Sequence, residues 1–444
     1  MKAFKAYDIR GIYNTDFNKE DVYRIGFFLP KLLNAKEVLV GRDVRVSSPE
    51  VHDALISGIT DSGANVCDIG LATTPMVYFG TGRYHFDASV QITASHNPAE
   101  YNGLKVSKTG ALPVGYDTGL SKLEAQVESG KEIVPVENRG LVYDKDIKVD
   151  YIAFQKRWLA DDISNLKIGV DCSNGMVGIV LKDILGEAPI YINEEPDGTF
   201  PCHAPNPLEE ENCEQIKKLV TDNQLDVGII FDGDADRMML IDEKGRFVRP
   251  DITIGILGRY YLKEPGDHVL YDIRTSRGVT EYIQKMGAEI HMSKVGHSFA
   301  KYKMAEYGCV FGGELAGHYY LRDFYNCDSA IMAAIIVLDV LSALKGKQIK
   351  FSELVDEINC YANSGEINYK IENKQEVMEK VKNYVLERET PTFQTDLDGY
   401  RFDFEDWWFN IRPSNTEPYL RLIVEADNQE LLDQKLEMLN SLIV

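Results

Sequence analysis

Ser95 stands in the hexapeptide Thr93-Ala94-Ser95-His96-Asn97-Pro98, directly after an apolar run. Asn97-Pro98 is turn chemistry that stops the chain from continuing as sheet, so the serine is presented on a loop. A hydroxyl placed there can attack or carry a phosphoryl group. The alternative is that Ser95 and Asn97 only bond their own turn. No G-x-S-x-G elbow supports a hydrolase triad. A second loop, Asp232-Gly233-Asp234-Ala235-Asp236-Arg237, sets three carboxylates at alternate positions after Val227–Phe231. In a curled loop they converge as oxygen ligands for one hard cation, and Mg²⁺ suits a site that leaves room for phosphate oxygens. Three anions so close are hard to justify without it. A solvated turn is the bland alternative. A calcium EF-hand fits only in part: Glu243 falls at position twelve counted from Asp232, but Arg237 stands where that loop needs glycine.

Two more loops carry binding chemistry. In Gly312-Gly313-Glu314-Leu315-Ala316-Gly317-His318, Glu314 can accept hydrogen bonds from neighbouring sugar hydroxyls. The glycines there are expected to let backbone approach the ring, and His318 can move a proton near neutral pH. In Arg412-Pro413-Ser414-Asn415-Thr416-Glu417-Pro418, Arg412, with Arg421 beyond it, offers planar forks, and Ser414, Asn415 and Thr416 add neutral donors. That set suits a phosphate, against the plain reading of a hairpin turn. Arg10 in Tyr7-Asp8-Ile9-Arg10-Gly11, Lys105 just after the serine loop, and Lys294 and His297 in Lys294-Val295-Gly296-His297 are weaker candidates.

The elements that must position these loops are α/β units. Apolar strands ending in aspartate and a polar turn recur at Val38–Asp43, Ile168–Asp171 and Val269–Asp272. Second strands follow at Gly63–Asp68, Ala188–Ile192 and Gly287–His291, and third strands at Ala88–Thr93, Asp226–Phe231 and Gly308–Phe311. Ser48 is expected to cap the helix after the first strand, with Pro49 at its first position. This is a threefold repeat of mostly parallel sheet with helices between, and each of the first three loops leaves a third strand. Equivalent loops would then meet in one cleft. The end of the chain reads differently, with strands at Glu366–Ile371, Tyr400–Phe404, Trp407–Ile411 and Tyr419–Glu425 and helices at Lys374–Arg388 and Gln429–Leu442. The expected division is α/β domains over 1–145, 146–245 and 246–358 and a smaller α+β domain over 359–444.

Bulk properties narrow the function classes. The 444 residues carry 48 basic and 70 acidic side chains, a net charge of −22 that argues against a nucleic-acid or anionic-membrane partner. Ala330–Leu344, interrupted by Asp339, is too short to span a bilayer and reads as a buried helix. Seven scattered cysteines with no CxxC pair and no leader-like segment fit a reducing cytoplasm. The tract Cys202-His203…Cys213 matches no standard zinc spacing.

Taken in order, Phe4–Gly11, Thr93–Pro98, Asp232–Arg237, Gly313–His318 and Arg412–Pro418 resemble the motifs of the α-D-phosphohexomutase superfamily, and within it the bacterial phosphomannomutase/phosphoglucomutase group. The similarity spans essentially the whole chain. It implies four domains around a central cleft and a resting enzyme phosphorylated on Ser95. Asp232, Asp234 and Asp236, with the serine phosphate, would hold one Mg²⁺. The phosphoserine would convert a hexose phosphate to a 1,6-bisphosphate, which turns over and returns its other phosphate, and hexose 1,6-bisphosphate would serve as activator. Arg10, Lys105 and His318 would assist proton movement. Glu314 would hold sugar hydroxyls, and Arg412, Ser414, Asn415, Thr416 and Arg421 the non-reacting phosphate. Tyr7, His96, Arg237, Lys294 and His297 would add substrate contacts.

The family commonly has serine where this chain has Ala316, a loss of about 1 kcal/mol of hydrogen bonding that shifts affinity or epimer preference. The competing readings are a phosphoglucosamine mutase, a metal-dependent sugar phosphatase and a non-enzymatic sugar-phosphate or calcium-binding protein. The Tyr7–Gly11 segment and the Glu314 loop favour a neutral hexose, mannose or glucose. A monomer is expected, with a dimer as the alternative.

Overall fold

The computed structural model describes residues 1–159, 163–414 and 418–443, with backbone alone at His297. Three of its sheets share one plan. In the first, Asn65–Leu71, Glu37–Arg42 and Ala88–Ile92 run parallel in that spatial order, and Tyr101–Lys108 follows antiparallel. In the second the order is Ile190–Ile192, Ile168–Asp171, Val227–Phe231 and antiparallel Met238–Asp242. The third repeats it with Glu289–Ser293, His268–Asp272, Phe311–Gly313 and antiparallel Tyr319–Leu321. Val227–Phe231 is buried at every residue, as a parallel strand covered on both faces must be. Each functional loop is therefore the turn between a central strand and its antiparallel neighbour.

Some boundaries move. The third strand of the third sheet begins at Phe311, because Gly308 closes the preceding helix in a left-handed conformation with φ 65°. Gly312 and Gly313 are thus strand residues. A Cβ on Gly312 would come within 2.7 Å of Leu270 Cβ, so close packing, not approach to a sugar, demands glycine there. Ser47, not Ser48, precedes the Ser48–Asp61 helix, and Ser48 Oγ instead donates to Asp43 Oδ1 at 2.5 Å.

Ala330–Gly346 is a helix buried almost all round, packed in one apolar core with the Thr74–Tyr84 helix and the strands of the second and third sheets. No helix among the described residues is long and apolar enough to cross a membrane. The last sheet is antiparallel, with Tyr400–Asp403, Trp407–Pro413 and Tyr419–Ala426 in sequence and Ile367–Lys370 also on Tyr419–Ala426. The Lys374–Leu386 and Gln429–Ile443 helices share a core with it around Trp407, Phe409 and Leu422.

Candidate active site

Ser95 adopts φ 53°, a left-handed conformation that a serine enters only when its surroundings fix it. Its own N–H donates to Thr93 Oγ1 at 2.9 Å. Arg45, fully buried, holds the loop from beneath. Its Nη2 donates to the carbonyls of Ser95 and Asn97 at 2.8 and 2.6 Å, and its Nη1 to those of Pro98 and Tyr101 at 2.5 and 3.2 Å. Asp43 Oδ2 fixes Arg45 Nε at 3.1 Å. Ser95 Oγ donates to Asp232 Oδ2 at 2.9 Å, across to the second domain, and Asn97 Oδ1 accepts from Arg10 Nη1 at 2.9 Å. Neither side chain is spent on its own turn.

Replacing Arg45 with methionine strands Asp43 and four carbonyls in a dry place, so the unfolding free energy should fall by about 3 kcal/mol. The displaced loop should lower kcat about 100-fold with KM nearly unchanged. Denaturant midpoints and steady-state kinetics measure both.

Asp232, Asp234 and Asp236 are buried, with ligand oxygens from all three within 4.8 Å of one another. Lys105, on the strand after the serine loop opposite Gln91, donates to Asp234 Oδ2 at 2.7 Å and also to Asp236. Thr74, at the start of its helix, donates to Asp234 through Oγ1 at 2.6 Å and through its N–H at 3.0 Å. Burial works against the Lys105 ammonium, but Asp234 and Asp236 outweigh it and raise its pKa. Burial, with Asp234 and Asp236, drives the Asp232 carboxyl well above the usual range. Burial pushes Asp236 the same way, yet the charges of Lys105 and Arg237 hold it low.

Asp234 Oδ1 and Asp236 Oδ1 are buried with no hydrogen-bond partner among the described residues. Orphaned carboxylate oxygens beside a third carboxylate fit a divalent cation. The EF-hand alternative fails: Glu243 accepts from Ser352 N and Oγ at 2.9 and 2.6 Å, and strands flank the loop. The zinc reading of Cys202, His203 and Cys213 fails too, since His203 Nε2 pairs with Asp171 Oδ2 at 3.1 Å and Cys213 Sγ donates to the Pro207 carbonyl. Another ligand-type group, His268, Glu289 and His291, lies at the other end of the third sheet from the loops.

The Glu314–His318 turn meets the aspartate loop directly, through an antiparallel bridge between Arg237 and His318 and a bond from Met238 N to Gly317 O at 3.4 Å. Gly317 has φ 83°, and a Cβ there would strike Met239. Glu314 accepts from Gly296 N at 2.7 Å and Tyr320 OH at 2.9 Å, and burial raises its pKa. Each of its oxygens keeps a second lone pair for a sugar hydroxyl. His318 Nδ1 lies 2.6 Å from Asp328 Oδ2. Burial, then Arg237, lowers the His318 pKa to about 4, so the ring is neutral at physiological pH. Burial and the charges of Arg237 and Arg10 depress His96 likewise. Ala316 is half-buried in the turn.

Tyr7 OH donates to Val295 O at 2.8 Å, which brings the first domain onto the Lys294–Gly296 segment, while the Lys294 side chain is exposed. Val295 N donates to Asp398 Oδ2 of the last domain at 3.0 Å. Arg412 and Arg421 face each other in register on adjacent strands. Asn415 and Thr416 lie outside the described residues, as does the His297 side chain. Ser414 N donates to Tyr419 O at 2.9 Å.

The residues that sequence reasoning missed are Arg45, Thr74, Asp328, Arg274 and Glu366. Arg45 and Arg274 had a signal. Asp43-Val44-Arg45 and Asp272-Ile273-Arg274 repeat one Asp-x-Arg pattern after equivalent strands, and the aspartate binds the arginine in both.

Three repeated α/β domains that place a strained serine against a carboxylate cage and a buried acid–imidazole turn, with paired arginines on a fourth, define a phosphosugar mutase. Comparison with known proteins makes this specific. Models of the phosphoglucomutase/phosphomannomutase α/β/α domains I, II and III match residues 1–133, 148–245 and 249–361, and that of the C-terminal domain matches 366–441. A phosphomannomutase of Methanocaldococcus jannaschii is 37% identical over 450 residues, covering 100% of this chain and 98% of its own. One from Escherichia coli K12 is 36% identical over 440 residues, covering 96% of this chain and 95% of its own. A crystal structure of a phosphoglucomutase/phosphomannomutase family protein from Burkholderia thailandensis superposes with a TM-score of 0.87 at 24% identity, covering 100% of this chain and 97% of that one. The chain belongs to the phosphoglucomutase/phosphomannomutase family.

Proposed function

We propose that this mutase interconverts hexose 1-phosphates and hexose 6-phosphates, of mannose and of glucose, through a phosphorylated Ser95 and a hexose 1,6-bisphosphate. The observation that carries the reading is Ser95 Oγ at 2.9 Å from Asp232, inside a carboxylate cage with two oxygens that make no hydrogen bond among the described residues. Asp232, Asp234 and Asp236 would hold Mg²⁺, which when bound offsets charge on the phosphoryl oxygens. In the transfer, the phosphorus–oxygen bond to Ser95 breaks as one forms to a sugar hydroxyl, whose proton must leave. His318, whose neutral ring can accept a proton, is the group assigned to take it, while Lys105 and Arg10 stabilise charge at the phosphoryl group. Glu314 holds the ring hydroxyls. Arg412, Ser414, Asn415, Thr416 and Arg421 grip the far phosphate, so the sugar can be held in either direction. A relative named phosphomannomutase at 37% identity supports mannose among the substrates. Incubation with glucose 1,6-bisphosphate should leave one phosphoryl group on the Ser95 peptide by mass spectrometry, and modification elsewhere would overturn the assignment.

Reorientation of the bisphosphate requires the cleft to open and close. Polar bonds cross the boundary to the last domain, beside an apolar contact of Leu315 with Trp408 and Ile423. Arg401 Nη1 donates to Ile273 O at 2.6 Å, Arg277 Nη2 to Phe404 O at 2.8 Å, and Arg277 N to Glu425 Oε1 at 2.7 Å. X-ray scattering should therefore show a smaller radius of gyration with saturating bisphosphate, whereas superimposable curves would contradict the closure.

A further inference from the structure

The far-phosphate clamp contains a third guanidinium, and a carboxylate at its centre. Arg274, in the turn that follows His268–Asp272, comes from the third domain, while Arg412 and Arg421 come from the fourth. All three reach Glu366. Arg274 Nη1 lies 3.3 Å from Oε1, Arg412 Nη2 3.3 Å from Oε1, and Arg421 Nη1 3.2 Å from Oε2. Glu366 sits just before the Ile367–Lys370 strand, on the segment that joins the two domains. Asp272 holds the Arg274 guanidinium, with Oδ2 2.7 Å from Nη2, and the same oxygen accepts from Leu315 N at 2.8 Å. A continuous path therefore runs from the sugar turn to the clamp.

Three guanidiniums this close repel one another, and burial weakens their solvation further. Burial, then the charge of Arg274, lowers the Arg412 pKa, and Glu366 opposes that. Burial would raise the Glu366 carboxyl, but Arg274, Arg412 and Arg421 bring it to about 2, so it stays ionised. A guanidinium has five N–H donors, so a bond to Glu366 does not exhaust it; Arg274 also gives Nε and Nη2 to Asp272. Arg412 Nε is buried and unpartnered among the described residues, a donor available for such a ligand.

We infer that Glu366 is a positioning residue that gathers Arg274, Arg412 and Arg421 from two domains into one receptor for a phosphomonoester dianion. The inference rests on the phosphosugar reading above, and it makes the receptor complete only when the two domains are docked. Glu366 acts on affinity for the phosphate, not on the chemistry at Ser95.

The test is calorimetric titration of mannose 1-phosphate and of inorganic phosphate into Ser95→Ala protein, which cannot turn over, with and without Glu366→Gln. Glu366→Gln should weaken both ligands by at least about tenfold, and Glu366→Asp should recover part of the loss. In the active protein KM should rise by a similar factor while kcat changes less than about threefold. Combined with Arg274→Gln the losses should be less than additive, because both act on one cluster. Should Glu366→Gln fail to fold, Arg274→Gln alone must weaken phosphate binding. Unchanged affinity overturns the inference, and so does tighter binding, which would make Glu366 a competitor of the ligand. No binding of mannose 1-phosphate even to the Ser95→Ala protein would instead sink the phosphosugar reading itself.

Discussion

Ser95→Ala protein should fold normally and lose hexose phosphate interconversion by about 10⁴-fold or more, because no other hydroxyl occupies the nucleophile's place. The change removes the bond from Oγ to Asp232 and a longer one, 3.4 Å, with His96 Nδ1, and leaves the loop's Arg45 bracket intact. Alanine at φ 53° is no easier than serine, so the thermal midpoint should move by only a few degrees. Coupled assays in both directions with bisphosphate present measure the loss. Residual activity within tenfold of wild type would mean the phosphoryl carrier lies elsewhere.

Asp234→Asn should come next in size, lowering kcat by about 10³-fold and weakening Mg²⁺ binding at least about 100-fold in calorimetry. Asp234 has two duties in one carboxylate. Oδ2 accepts from Lys105 and Thr74, and Oδ1 is left for a cation. An amide removes the charge, and if its nitrogen turns toward Lys105 two donors face each other. Chelation of wild-type protein should abolish activity, with Mg²⁺ restoring it. Full activity after exhaustive chelation would contradict the cation's part in the reaction.

What could be read from the sequence was local. Val227–Phe231 followed by three alternating aspartates declares both a buried strand and a cluster of converging carboxylates, since the residues that make each are contiguous. The repeat was readable for the same reason, and the three sheets turn out to share one strand order. Tyr101–Lys108 carries no strand signal, because its Asn102-Gly103 pair is turn chemistry and its apolar residues are interrupted by Lys105. Its burial depends on Asp234 and Asp236, more than a hundred residues away. The contact between Ser95 and Asp232 likewise joins two domains, and no spacing announces it. Glu366 had no signal at all: in Ser364-Gly365-Glu366-Ile367 it is one acid among 70 acidic residues, and only the approach of three arginines marks it.

The most direct test of the account is ³¹P NMR of the protein with Mg²⁺, mannose 1-phosphate and a trace of glucose 1,6-bisphosphate. Growth of the mannose 6-phosphate resonance without inorganic phosphate, absent in Ser95→Ala, is the predicted result. Release of free phosphate in place of the isomer would make the protein a phosphatase and contradict the account.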